Sequence, residues 1–196
     1  MRRITKAAVG GLAGCALVVG GTQIASGATG LLKEYLNDLS VTDLTTAKDP
    51  ADPHDIAFDS AIASVRVMKA PDGTGFKLRV ERIDPSVAGD TFGAHLHVGP
   101  CAVPTADEPD PTGVHYKHDK DMPAGPENEV WFSLVPSDGG TATDDTFVPF
   151  RPDDDDPDTP MSIVIHHHAT DAAGKAGLKE VCLPVEGIFS AETSRT

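Results

Sequence analysis

The sequence predicts an all-β domain, an antiparallel sandwich or barrel, and three observations support this prediction. Short segments that alternate apolar and polar residues recur from about residue 59 onward. Turn residues separate these segments, in a chain with 19 glycines and 16 prolines. Helical periodicity is almost absent from the same region. Short strands joined by such turns are typical of packed antiparallel sheets.

The N-terminal segment 1–28 has the pattern of a secretory signal peptide. Basic residues precede an apolar, glycine- and alanine-rich run from Ala7 to Val19, and small residues suit cleavage after Ala28. The alternative is a bacterial lipoprotein signal, which would leave a lipid anchor at Cys15 as the one membrane contact. Both interpretations predict an exported protein, either secreted or associated with the cell envelope.

The negative charge of the chain argues against polyanionic partners. The formal net charge is −14 and becomes −17 without residues 1–28, which hold three basic and no acidic side chains. A chain this acidic is not expected to bind nucleic acid or an anionic membrane surface.

Two cysteines remain once the signal segment is removed. In an oxidising compartment Cys101 and Cys182 most simply form one disulfide, and two separate buried thiols are the alternative. Such a disulfide would close a loop of about eighty residues, which the chain-entropy model values at ~4 kcal/mol of stability.

Residues 29–58 are predicted to be a linker or stalk with one short helix. Leucines and a tyrosine between Leu31 and Leu39 fall on one side of a helix. The prolines at 50 and 53 then break any regular element. His54, at the end of this stretch, is expected to be an uninvolved surface histidine.

The domain itself is predicted to span residues 59–189, followed by a tail at 190–196. A hairpin turns at Pro71-Asp72-Gly73, and a strand carrying His95 and His97 follows. A long polar loop runs from Ala102 to about Glu127. The further strands are predicted at 129–135, 141–150, 161–168 and 181–188.

The histidines are the strongest sign of chemistry. Seven of the eight fall in three clusters, namely His95/His97, His115/His118 and His166/His167/His168. His95 and His97 stand two apart on a strand, so their side chains leave the same face. Imidazole suits copper and zinc, and two imidazoles on one strand amount to half of a metal site.

These segments together resemble the copper/zinc superoxide dismutase family, in its divergent exported actinobacterial form. The resemblance covers about residues 60–188 in the correct order. The segments that carry it are Gly93–His97 with Cys101, Gly113–Tyr116, Ser162–His166 and Val181–Leu183.

The resemblance implies an eight-stranded Greek-key β-barrel with copper held by His95, His97, His115 and His166. It also implies that superoxide is the substrate and that His115 carries a proton to the departing peroxide. His168 shares a strand face with His166, so an exchange between these two ligands stays open. His167 is expected to point the other way, without a role.

The sequence departs from the family in two places. His118 follows His115 by three residues rather than about eight, and it is the one further histidine in that loop, so zinc binding through His118 stays open. The family's substrate-guiding arginine is replaced by Lys179, which keeps the positive charge without the planar fork of donors.

The expectation is therefore an exported superoxide dismutase that depends on copper, with a copper-only form left open. The alternative is a non-catalytic copper-binding or buffering protein on the same fold. A metal-free, disulfide-stapled β-domain is the third interpretation, and the histidine clusters disfavour it. The sequence leaves the oligomeric state open.

Overall fold

The structure is a computed structural model, and it describes residues 32–152 and 160–185. The predictions for the signal peptide at 1–28, the lipid anchor at Cys15 and the tail at 190–196 lie outside the described residues. Within the described residues, no helix is both long and apolar enough to cross a membrane.

The chain forms nine strands and two short helical turns over the described residues. The helical turns are α1 (Pro53–Ile56) and a 3-10 turn (Pro85–Val87). The strands are β1 (Leu32–Ser40), β2 (Thr42–Asp43), β3 (Ile62–Ala70), β4 (Gly73–Glu81), β5 (Phe92–Val98), β6 (Trp131–Leu134), β7 (Thr141–Val148), β8 (Met161–His166) and β9 (Lys179–Pro184).

Two antiparallel sheets make up the domain, which confirms the predicted all-β class. One sheet has the strand order β1-β3-β4-β7, and the other has the order β2-β9-β8-β5-β6. A single apolar core contains residues of both sheets, including Phe76 and Leu78 of β4, Leu96 of β5 and Ile163 of β8. The sheets therefore pack face to face, because each has one apolar face to remove from water.

The predicted hairpin is confirmed. β3 and β4 pair along their whole length, from Ile62 opposite Glu81 to Ala70 opposite Gly73. Alternate residues of β3, such as Val65 and Val67, are buried in the core. The period of two in the sequence thus corresponds to one buried face of this sheet.

The prediction of a stalk at 29–58, with its helix around Leu31–Leu39, was wrong for its described part; the short helix in this range is α1, at Pro53–Ile56. Leu32–Ser40 is a strand that pairs antiparallel with β3, with an irregularity between Leu36 and Leu39. β2 then pairs with β9 in the other sheet. An isolated helix this short is marginal in water, whereas the open edge of β3 offers main-chain partners to an extended chain.

Strand alternation separates the core from the functional face. Phe92, Ala94 and Leu96 of β5 belong to the core, so His95 and His97 leave the opposite face of the sheet. β8 pairs with β5 and places His97 opposite Ser162. The histidine face of this sheet therefore lies away from the core that the two sheets share.

A disulfide connects the long loop after β5 to β9. Cys101 and Cys182 are bonded, with their Cα atoms 5.4 Å apart, as the simpler of the two cysteine interpretations predicted. Cys182 packs with Val164 and Leu44 in a small apolar cluster on the histidine side of the sheet. The loop that carries His115 is thereby tied to the strand beside β8.

Candidate metal centre

Four histidines meet on the outer face of the second sheet. One ring nitrogen from each of His95, His97, His115 and His166 lies within 4.8 Å of the others. His95 and His97 come from β5 and His166 from the end of β8, while His115 forms an isolated bridge with His97. Three ligands therefore stand on adjacent paired strands, and the fourth is held against them by the loop.

His95 lies deepest in the cluster and has an unpartnered nitrogen. Its side chain is fully buried, and its Nε2 atom lies 2.8 Å from Oγ1 of Thr170. Its Nδ1 atom is buried without a hydrogen-bond partner. An orphaned imidazole nitrogen in a dry site is costly unless something binds it, and a metal ion would do so.

His97 is held by a main-chain carbonyl. Its Nδ1 atom donates to the carbonyl oxygen of Gly113 at 3.0 Å, which leaves a lone pair on Nε2. Gly113 has φ of +67°, and a Cβ there would lie 2.4 Å from the carbonyl oxygen of Val98. Glycine is therefore required to bring this carbonyl to His97.

His166 completes the buried set. Its Nε2 atom lies 3.4 Å from Nε2 of His97, and its Nδ1 atom lies 3.4 Å from the carbonyl oxygen of Gly177. When both Nδ1 atoms carry the proton, two nitrogen lone pairs face each other. That arrangement is repulsive by itself and favourable around a cation.

His115 is oriented by a buried carboxylate. Its Nδ1 atom donates to Oε2 of Glu129 at 2.9 Å, and Nε1 of Trp131 donates to the same oxygen at 2.7 Å. Burial alone would raise the pKa of Glu129, but these two hydrogen bonds lower it overall. Glu129 therefore remains a carboxylate and fixes the tautomer of His115, which keeps Nε2 available as a ligand.

Burial keeps the inner imidazoles neutral. It lowers the pKa of His95 and of His97 to about 2, and that of His166 to about 4. In all three the largest cause is the loss of hydration of the charged form, and positive neighbours add to it. Neutral imidazole is the form that binds metal, so the donor set is ready for an ion at neutral pH.

These observations fit a bound transition metal. The set consists of four imidazoles, each with one nitrogen hydrogen-bonded within the protein, and one nitrogen of each lies within 4.8 Å of the others. Imidazole ligands suit copper, zinc, iron and nickel. The cluster can hold a metal ion, and the arrangement of donors does not by itself identify which one.

The cluster lies at the base of an open cavity of about 700 Å³ lined by His97, His115 and His166. Lys179 lines the same cavity. Its ammonium is engaged by Oδ1 of Asp110 at 2.5 Å, Oγ1 of Thr112 at 2.9 Å and the carbonyl oxygen of Gly113 at 2.7 Å. All three ammonium protons are thus used within the protein.

His166, not His168, lies with the other three histidines, so the exchange between the two is not supported by the geometry. The pairing of β8 with β9 shifts register between Ile165 and His166. His168 instead groups with His54 and His167. The shift breaks the simple alternation that placed His166 and His168 on one face.

Among the described residues, His118 lies at no candidate metal site, although the sequence left zinc binding there open. Its exposed ring stacks on Phe150, with ring centres 4.6 Å apart and planes 3° from parallel. The ring nitrogen of His115 that a second metal would need is bound instead to Glu129.

Sequence reasoning missed the supporting residues. No role was assigned from the sequence to Glu129, to Thr170 or to the carbonyl of Gly113. A signal for Glu129 does exist. Trp131 pairs opposite His95, and Glu129, two residues before Trp131, projects from the same side of the strand. That signal needs the pairing of β5 with β6, which the sequence did not provide.

No model of a known protein family matches this chain, and no curated protein sequence matches it.

Proposed function

We propose that this protein is an exported superoxide dismutase that uses copper bound by His95, His97, His115 and His166. The proposal includes membership of the copper/zinc superoxide dismutase family in a copper-only form, with its Greek-key β-barrel. Two packed antiparallel sheets and the disulfide between Cys101 and Cys182 support it. The disulfide also supports export, because such bonds persist in oxidising compartments.

The single observation that carries the proposal is the meeting of four imidazoles, three of them kept neutral by burial, beside an open cavity. An all-imidazole set suits copper, which bound there would cycle between Cu(II) and Cu(I) by single electrons. Dismutation needs such a cycle, because one superoxide loses an electron to give dioxygen and the next gains one to give peroxide.

The residues of the chain have separate tasks in this reaction. His95, His97 and His166 are buried and held by the sheet, so they maintain the ligand geometry. The side chain of His115 is 21% exposed and lines the cavity. When its Nε2 atom is not bound to the metal, that nitrogen can take a proton from solvent and deliver it to the peroxide, while Glu129 holds the proton on Nδ1.

The proposal is tested by the rate at which the copper-loaded protein consumes superoxide, followed by stopped-flow absorbance. We expect His115→Ala and His95→Ala to abolish the acceleration over spontaneous dismutation. His118→Ala, which alters a histidine outside the cluster, should leave the rate unchanged. A folded, copper-loaded protein no faster than free solution would end the proposal.

A copper-binding protein without turnover is the second candidate, and the contacts of Lys179 favour it. The ammonium that would attract superoxide is neutralised by Asp110 and occupied by Thr112 and Gly113. The strongly negative chain adds a general repulsion of anions. Stoichiometric tight copper binding with no acceleration of dismutation would select this candidate.

A further inference from the structure

His95 differs from the other three histidines of the cluster in the ring nitrogen that the protein engages. His97, His115 and His166 each have Nδ1 beside an oxygen of the protein, which leaves Nε2 for the cluster. In His95 the order is reversed, because Nε2 lies 2.8 Å from Oγ1 of Thr170 and the buried Nδ1 has no partner. The contact with Thr170 therefore decides which nitrogen of His95 is available.

The hydroxyl oxygen of Thr170 is the acceptor in this contact. If the hydroxyl donated instead, the ring proton of His95 would lie on Nδ1, which is buried and has no acceptor. A buried N–H group without an acceptor is costly, whereas a nitrogen lone pair at the same place can bind a cation. The favoured tautomer of His95 therefore carries its proton on Nε2 and donates it to Thr170.

Gly93 makes room for this contact. It lies two residues before His95 on β5, so both residues face the same side of the sheet. A Cβ atom at Gly93 would lie 2.2 Å from Oγ1 and 2.9 Å from the backbone nitrogen of Thr170. Glycine at this strand position thus allows the segment after β8 to approach closely enough for its hydroxyl to reach His95.

Main-chain hydrogen bonds hold Thr170 in place from both sides. Two residues before it, the carbonyl oxygen of His168 accepts from the backbone N–H of Gly93 at 2.8 Å. One residue after it, the backbone N–H of Asp171 donates to the carbonyl oxygen of Lys175 at 2.8 Å. The hydroxyl is therefore fixed over β5 by ordered backbone before any metal binds.

We propose that Thr170 is the positioning residue of His95, whose Nε2 proton it accepts so that Nδ1 is left for copper. Because the copper site is itself proposed, this role rests on the proposed function. The hydroxyl is neutral, unlike the carboxylate of Glu129 that orients His115. Thr170 therefore fixes the tautomer and the orientation of the ring without bringing a negative charge to the buried side of the cluster.

The proposal is tested first on the metal-free protein, by long-range proton–nitrogen NMR of the imidazole rings at neutral pH. We expect His95 to carry its proton on Nε2 alone. Thr170→Val keeps the size of the side chain but removes the acceptor, so we expect a mixture of the two tautomers, and Thr170→Ser should restore the single form. A proton on Nδ1 of His95 in the unmodified protein, or an unchanged tautomer in Thr170→Val, would overturn the proposal.

Copper affinity, measured by competition with a chelator, is the second readout. We expect Thr170→Val to bind copper about 10–100-fold more weakly and Thr170→Ser to bind nearly as the unmodified protein does. Thr143→Val makes the same change at an exposed position of β7 and should alter neither the affinity nor the tautomer of His95. Equal affinities of Thr170→Val and Thr170→Ser would contradict a role for the hydroxyl.

Neither readout depends on turnover. A protein that binds copper with the expected dependence on Thr170 but does not accelerate dismutation would end the proposed enzyme and leave the role of Thr170 intact. A protein that accelerates dismutation while His95 carries its proton on Nδ1 would do the reverse.

Discussion

Nδ1 of His115 lies 2.9 Å from Oε2 of Glu129, a carboxylate whose side chain is 1% exposed. This contact occupies Nδ1 of His115 and leaves Nε2 as the nitrogen available to a metal. It means that a buried glutamate, rather than a second metal ion, orients the most accessible ligand of the cluster.

Replacing Glu129 should therefore weaken the metal centre while preserving its shape. Glu129→Gln keeps the volume but removes the charge that fixes the proton on His115. We expect copper affinity to fall by about 10–100-fold, measured by competition with a chelator, with a parallel loss of dismutase rate. Glu127→Gln changes an exposed carboxylate in the same loop and should alter neither quantity; an unchanged affinity in Glu129→Gln would contradict the assigned role.

The lowered pKa values predict acid sensitivity of the metal-free protein. The pKa of His166 is about 4 in the folded state and near 6.5 when exposed. The unfolded state therefore binds the extra proton between these values, so stability is full above about pH 6.5 and is lost as pH falls towards 4. The same sign holds for His95 and His97, whose lower folded pKa values extend the loss further into acid.

The measurement is the free energy of unfolding in urea as a function of pH. His166→Gln should reduce its slope near pH 5 by about one proton, or about 1.4 kcal/mol per pH unit. His118→Gln, at an exposed site, serves as the control. An identical slope in His166→Gln and the unmodified protein would mean that His166 is not held neutral by burial.

Gly113 connects the loop to the histidine cluster, so an added methyl group should affect both the stability of the fold and metal binding. Gly113→Ala places a residue at φ of +67° and a Cβ 2.4 Å from the carbonyl oxygen of Val98. We expect a loss of at least about 2 kcal/mol of stability from the strained backbone and the clash, with weaker copper binding as the His97 contact moves. Gly139→Ala, where the nearest side-chain atom is 3.7 Å away, should be tolerated; equal unfolding midpoints for the two variants would refute this account.

Lys179 allows a test of whether its positive charge guides superoxide to the histidine cluster. Lys179→Gln removes the ammonium and leaves Asp110 unpaired at the rim of the cavity. If the protein turns over superoxide, we expect the rate at low ionic strength to fall by about two- to tenfold and the difference to shrink as salt is added. Lys120→Gln, at an exposed position outside the cavity lining, is the matched control; a salt-independent difference would assign Lys179 a structural role instead.

The periodic parts of the fold were predictable because local physics decides them. The alternation in β3 and β4 and the turn between them specify a hairpin, and the spacing of His95 and His97 specifies a shared face. Cys101 and Cys182 were the one pair left once residues 1–28 were predicted to be a signal segment, and the structure joins them. Each of these conclusions depends on residues that are close in sequence or on the number of cysteines.

The rest depended on which strands become neighbours. The segment at Leu32–Ser40 carries a helix-like pattern but becomes a strand, because the edge of β3 offers it main-chain hydrogen bonds. A register shift beside β9 separates His166 from His168. The contacts of Glu129 with His115 and of Thr170 with His95 join residues from different segments of the chain.

The sequence by itself therefore determined the fold class, the set of candidate copper ligands and the cysteine pair. Tertiary structure alone decided which ring nitrogen of each histidine is free and which group binds its other nitrogen. It also decided that Asp110 neutralises the charge of Lys179. The physical reason is that hydrogen-bond geometry and desolvation depend on contacts between distant segments, and no local pattern encodes those contacts.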